Sequence, residues 1–122
     1  DLQAIASVCP ALASLDLSGT RVVDYAVAKI LDHCPGLRHL ALRGCELIAG
    51  HFLGAGTQEL SILDLVQSTV VAQQVADFVR SPRPGLRKLC LGARQVTETV
   101  VRLVGQHCPH LASLELEAAA QV

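Results

Sequence analysis

The chain carries five cysteines, Cys9, Cys34, Cys45, Cys90 and Cys108, and in two places a histidine directly precedes one, at His33-Cys34 and His107-Cys108. Thiolate beside imidazole is the pairing that zinc sites and cysteine nucleophiles use. No C-x-x-C, H-E-x-x-H or G-x-S-x-G segment accompanies these residues. Gly54-Ala55-Gly56 is followed by Thr57-Gln58-Glu59, which completes neither a dinucleotide fingerprint nor a phosphate-binding loop. No cofactor, metal or catalytic residue is expected, and the spacing of the cysteines needs another cause.

Repetition supplies it. Cys9-Pro10-Ala11-Leu12-Ala13-Ser14-Leu15-Asp16-Leu17 returns as Cys34-Pro35-Gly36-Leu37-Arg38-His39-Leu40-Ala41-Leu42 and as Cys108-Pro109-His110-Leu111-Ala112-Ser113-Leu114-Glu115-Leu116. Leu60-Ser61-Ile62-Leu63-Asp64-Leu65 and Leu86-Arg87-Lys88-Leu89-Cys90-Leu91 are weaker copies between them, so the units start 25, 23, 26 and 25 residues apart. L-x-x-L-x-L at such a period is the leucine-rich-repeat signature. It predicts strands near 12–17, 37–42, 60–65, 86–91 and 111–116, with the second and third leucines inward and the residues between them outward. His33-Cys34 and His107-Cys108 then lie three coils apart, about 14 Å at strand spacing, too far to share a metal. Both histidines suit helix C-termini, where the dipole favours them. Cys9 and Cys34 fall on adjacent coils, about 5 Å apart and within bridging reach, but repetition rather than pairing explains the cysteines, and five reduced thiols are expected.

The segments between strands predict helices. Val23, Ala26, Val27, Ile30 and Leu31 stand at helical spacing behind Asp24 as N-cap; Val70, Val71, Val75, Phe78 and Val79 form a second stripe, ended by Pro82 and Pro84. Thr97 caps a third helix with Val100, Val101 and Val104 inward. Gly50, Gly54 and Gly56 break the second crossover, where an irregular or single helical turn is expected. Right-handed crossovers then give an α/β fold: a leucine-rich-repeat solenoid, a horseshoe fragment with a parallel sheet on the concave face and helices on the convex face. Residues 1–122 read as one domain of about five coils. With no Met at position 1, the chain reads as a fragment of a longer array.

Composition narrows the function. Hydrophobic residues make up 51% and charged residues 17%, with ten Lys and Arg against eleven Asp and Glu. That near neutrality gives no field to steer nucleic acid or an anionic membrane, and no apolar run reaches the length of a membrane span. Neither nucleic acid nor membrane is expected as a partner.

In-register strands place outward residues in three columns. They are Ser14, His39, Ile62, Lys88 and Ser113; Asp16, Ala41, Asp64, Cys90 and Glu115; and Ser18, Arg43, Val66, Gly92 and Glu117. Ile62 and Val66, apolar where solvent is expected and flanked by His39, Arg43 and Lys88, form a candidate hot spot. The plainer alternative is that His39 and Arg43 simply pair with Asp16 and Asp64. Expected contact residues for a protein partner on the concave sheet are Asp16, His39, Arg43, Ile62, Asp64, Val66, Lys88, Cys90 and Glu115. Arg80, Arg83, Arg87 and Lys88, around Pro82 and Pro84, suggest a second, basic patch for an acidic or phosphorylated partner. The trailing positions Thr20, Cys45 and Ser68 call for a small group that bonds backbone where the chain leaves the strand. A thiol nucleophile, if one existed, would be Cys90, with Lys88 on the same face but no base beside it.

Two details are more specific: Cys-Pro three residues before the first leucine, and a Cys eight residues after it at Cys45. Together with Val22-Val23-Asp24 and Val96-Thr97-Glu98, they resemble the cysteine-containing leucine-rich repeats of F-box and leucine-rich-repeat proteins, the substrate receptors of cullin-based ubiquitin ligases. Thr57 and Arg83 depart from the leading Cys, and Thr20, Ser68, Arg94 and Ala119 from the trailing one. The resemblance implies a protein-interaction module for substrate recognition, cytoplasmic or nuclear. It also implies a cullin-ligase adaptor bound through an F-box that this chain lacks. The alternative is a structural or sensor scaffold with no ubiquitin role.

Overall fold

The computed structural model describes residues 11–54, 59–81, 83 and 85–117. The leucine pattern builds five short strands, β1 (Ser14–Asp16), β2 (His39–Ala41), β3 (Ile62–Asp64), β4 (Lys88–Leu91) and β5 (Ser113–Leu116). They pair in parallel and in sequence order, with Leu15, Leu40, Leu63, Leu89 and Leu114 as successive register partners. Parallel neighbours need a crossover, and three of the four crossovers are helices: α1 (Asp24–His33), α2 (Ala72–Arg80) and α3 (Glu98–His107). The fourth is a 3-10 turn, His51–Gly54, in the glycine-broken segment. α1 packs on this turn, the turn on α2, and α2 on α3, so a second layer follows the order of the sheet. The result is an α/β repeat stack of solenoid-like form.

One apolar core fills the space between the layers. Leu40, Leu42, Leu63, Leu65, Leu89 and Leu91 are wholly buried beneath Val27, Ile30, Val75, Phe78, Val79 and Val100 from the helices. Where the second helix is missing, Phe52 and Leu53 of the 3-10 turn supply the apolar volume. Each such side chain contributes roughly 1.5 to 3 kcal/mol of transfer free energy. Gly50 has no substitute at its place, because a Cβ there meets Gln74 Cβ and Val70 Cγ1 at 2.8 Å on a backbone of φ +110°.

Helix boundaries correct several expectations. Thr97 caps α3, its hydroxyl accepting the Val100 N–H at 3.1 Å. Asp24 does not cap α1; Val23 stands at the cap without a side-chain bond. The Asp24 carboxylate instead accepts the N–H groups of Ala49 and Gly50 at 2.9 Å each, one coil ahead, where the broken crossover leaves backbone donors unused. Val23, Val71 and Val101 are exposed rather than inward, whereas Val70 is buried as the stripe predicts and Leu103, outside the expected stripe, is buried as well. Val23 and Val71 stand at the N-caps of α1 and α2, before the helical periodicity begins, and α3 turns Leu103 inward between Val100 and Val104.

The turns leaving β1 to β4 each contain a polar group that bonds backbone. Thr20 and Ser68 donate to the carbonyls of Leu17 and Leu65 at 2.7 Å, and the Cys45 thiol donates to Leu17 O at 3.1 Å. In the fourth coil this place belongs to Gln95, not Arg94. The turn there is of the same size but begins one residue later, closing Gln95 N to Gly92 O, past Leu91, where the others close Thr20 N to Leu17 O and Ser68 N to Leu65 O. Cys9, and with it the bridge considered to Cys34, lies outside the described residues, as do Gly56, Thr57, Pro82, Pro84 and Ala119.

Candidate functional site

The open face of the sheet is the site. Its first two columns are the observed register: Ser14, His39, Ile62, Lys88 and Ser113 are consecutive partners, as are Asp16, Ala41, Asp64, Cys90 and Glu115. The ladder continues into the third column, with Gly19 N bonded to Arg43 O and Gly44 N to Val66 O. Side chains alternate along a strand, so the leucines take the core and these residues take the opposite face.

Two ion pairs cross this face. Arg43 meets Asp64 at 3.1 Å, through both Nε and Nη2, and Lys88 meets Glu115 at 3.2 Å. Asp64 raises the Arg43 guanidinium above its usual range, Glu115 does the same for the Lys88 ammonium, and Lys88 in turn holds the Glu115 carboxyl low. Ser18, by hydroxyl and N–H, keeps the Asp16 carboxyl below the ordinary carboxylate value, with the N–H at 2.9 Å. His39 turns to Ser14, Nδ1 to Oγ 3.3 Å, and not to a carboxylate. The Arg43 half of the expected charge pairing thus forms, while the His39 half gives way to the hydroxyl on the neighbouring strand.

Two expected contact residues are not presented to solvent. Val66 and Cys90 are each 2% exposed. Val66 lies just past β3, with its N–H bonded to Asp64 Oδ1 at 3.0 Å and its carbonyl to Gly44 N at 2.9 Å. Cys90 is short, stands between Asp64 and Glu115, and its thiol donates to Glu115 Oε1 at 3.7 Å. Burial first, then the two carboxylates, pushes this thiol up to about 11. Ile62, His39 and Asp64 are half-buried, and Asp16, Arg43 and Glu115 are exposed.

The basic patch keeps only two of its four members, the exposed Arg80, paired with Asp77 at 3.4 Å, and the exposed Arg87. Arg83 is buried, its guanidinium 4.1 Å from the Phe78 ring centre and its Nε bonded to Phe78 O at 2.9 Å. It fills the place that Cys34 and Cys108 hold in their coils, closing the same turn to Leu86. Lys88 belongs to the sheet face. His33 and His107 end α1 and α3, with Nδ1 on the carbonyls of Lys29 and Val79 at 2.8 and 2.7 Å. Among the described residues, no three His, Cys, Asp or Glu side chains gather as a metal-binding group, and no helix is long and apolar enough to cross a membrane.

One face residue escaped the sequence reading. Gln67 is exposed at φ 60°, the left-handed conformation that Gly19 and Gly44 adopt at φ 75° in the preceding coils. The glycines that precede Thr20 and Cys45 were the available signal.

No family model matches the chain. It is 32% identical over 119 residues to Lysine-specific demethylase 2B of Mus musculus, covering 84% of this chain and 9% of that protein. To Lysine-specific demethylase 2A of Xenopus tropicalis it is 28% identical over 117 residues, covering 84% of this chain and 10% of that protein. The chain spans about a tenth of the length of these curated relatives.

Proposed function

We propose that the chain is a protein-interaction module: cysteine-containing leucine-rich repeats, part of a longer array, whose concave sheet receives a protein partner. By resemblance, that partner is the substrate of an F-box ubiquitin ligase, and the adaptor is held by an F-box elsewhere in the parent protein. The observation that carries the reading is the in-register face, where outward residues differ from coil to coil over a constant leucine core. Scaffolds of this kind place recognition on varied surface groups. A binding role rather than catalysis is supported by Cys90, among the described residues the one thiol on this face, which burial keeps protonated at neutral pH. The demethylase activity named for the relatives belongs to proteins ten times longer and is not carried over. We place the module in the cytoplasm or nucleus.

Affinity capture with three baits tests this. Ile62→Asp is expected to lose the partner at least tenfold, and Arg43→Ala to weaken it, while Lys29→Ala on α1 retains it. Loss with Lys29→Ala and retention with Ile62→Asp move the site to the helical layer and refute the reading. For the ubiquitin role, the parent protein is expected to co-purify with the cullin adaptor; absence of the adaptor leaves a scaffold.

A further inference from the structure

We propose that the open sheet face takes a basic segment in the polyproline II conformation, lying across the strands with Lys or Arg at every third residue. This rests on the reading of that face as the partner surface. Its middle column alternates carboxylates with small residues: Asp16 on β1, Ala41 on β2, Asp64 on β3, Cys90 on β4 and Glu115 on β5. Adjacent strands are about 4.8 Å apart, so carboxylates on alternate strands recur at about 9.6 Å. A polyproline II helix has three residues per turn and a rise of about 3.1 Å, so every third side chain returns to one face at about 9.3 Å. A β-strand lying the same way turns its every third residue alternately toward and away from the sheet. The match in spacing thus selects the conformation as well as the charge.

The charges of the face agree. Among the described residues it presents Asp16, Asp64, Glu115 and Glu117 against Arg43 and Lys88, although the whole chain is nearly neutral. Two of the carboxylates already hold a cation, but each pair is open to solvent on one side at least, with Arg43 and Lys88 side chains 46% and 40% exposed. An ionised carboxylate has about four acceptor sites, so an arriving ammonium shares Glu115, 53% exposed, without displacing Lys88, while Asp64, 17% exposed and already accepting two Arg43 donors and the Val66 N–H, offers its one remaining site. Among the described residues, Asp16 has only the Ser18 groups as neighbours in hydrogen bonding. A segment without side-chain bulk between its cations fits over the buried Ala41 and Cys90 positions.

Two labelled peptides of identical composition, KPAKPAK and KKKPAPA, test the register by fluorescence anisotropy with the chain at low salt. The spaced peptide is expected to bind at least fivefold tighter. Asp16→Asn and Glu115→Gln are each expected to weaken it threefold or more, with Asp32→Asn on α1 as an unaffected control. Equal binding of the two peptides, or indifference to Asp16→Asn and Glu115→Gln, overturns the proposal. If neither peptide binds while Ile62→Asp still abolishes partner capture, the proposal falls and the interaction face stands; if Ile62→Asp leaves capture intact, the face itself is misassigned.

Discussion

Gln95 Nε2 donates to the carbonyl of Val70 at 2.8 Å, tying the fourth coil to the third through a side chain with no solvent exposure. The same amide donates to Ser68 O at 3.3 Å, and its oxygen accepts Gly92 N–H at 2.8 Å. Gln95→Leu keeps the volume and orphans these groups. A buried polar group left without a partner costs about 1 to 3 kcal/mol, so the variant should lose roughly 2 to 4 kcal/mol in urea denaturation. A loss below about 0.5 kcal/mol would show that water or backbone relaxation replaces the amide.

The Arg43–Asp64 pair is expected to matter little for folding. Exposed ion pairs are worth roughly 0 to 1 kcal/mol, and the Arg43 side chain is 46% exposed. A double-mutant cycle on Arg43→Ala and Asp64→Ala should give a coupling below about 1 kcal/mol, shrinking as salt rises. A salt-insensitive coupling of about 2 kcal/mol or more would mean that the pair is structural.

Cys90 makes stability depend on alkaline pH. Its thiol lies at about 11 in the folded chain against 9.0 ordinarily, so between these values the folded state binds the extra proton. Stability from this group is therefore complete below pH 9 and is lost as pH climbs toward 11. Cys90→Ser should flatten the fall in urea midpoint across that window. Native Cys90 should also alkylate far more slowly at pH 8 than the unfolded chain, and fast labelling at that pH would contradict its placement.

At Gln67 the backbone favours glycine. A side chain at φ 60° costs roughly 1 to 2 kcal/mol, partly offset by the freedom glycine adds to the unfolded chain. Gln67→Gly should raise stability by about 0.5 to 1 kcal/mol in thermal melts. A lower melting temperature would show that the amide makes contacts that outweigh the strain.

The layers and the strands were legible because one residue type recurs with a fixed period. Leucine at the second and third positions of each unit fixes which side of the strand is inward, and Thr97 three residues before Val100 states its own cap. The Gln95 turn was not legible: Arg94 and Gln95 are both polar neighbours, and only the backbone closure on Gly92 shows which one turns in. Burial of Cys90 depends on how far Glu115 reaches from the adjacent strand, and no periodicity encodes that. Asp24 looked like a cap because its sequence neighbourhood is right; its partners, Ala49 and Gly50, are 25 and 26 residues ahead. Arg83 was misread because charge suggests solvent, whereas its flat guanidinium stacks on Phe78.

Backbone bonds between coils each reach only to the next one, from Arg38 N on Ala13 O through Ser61 N on Arg38 O and Lys88 N on Ser61 O to Glu117 N on Leu91 O. Along the sheet every described coil therefore offers above the same backbone donors and acceptors that it meets below. A tandem duplication of one whole unit would find the strand edges on both sides already matched, so the sheet of such an array can lengthen in evolution without redesign. An insertion of half a unit would set leucines against solvent and strand against helix. Selection on this architecture counts in whole turns of the chain, and new recognition surface arrives one strand at a time.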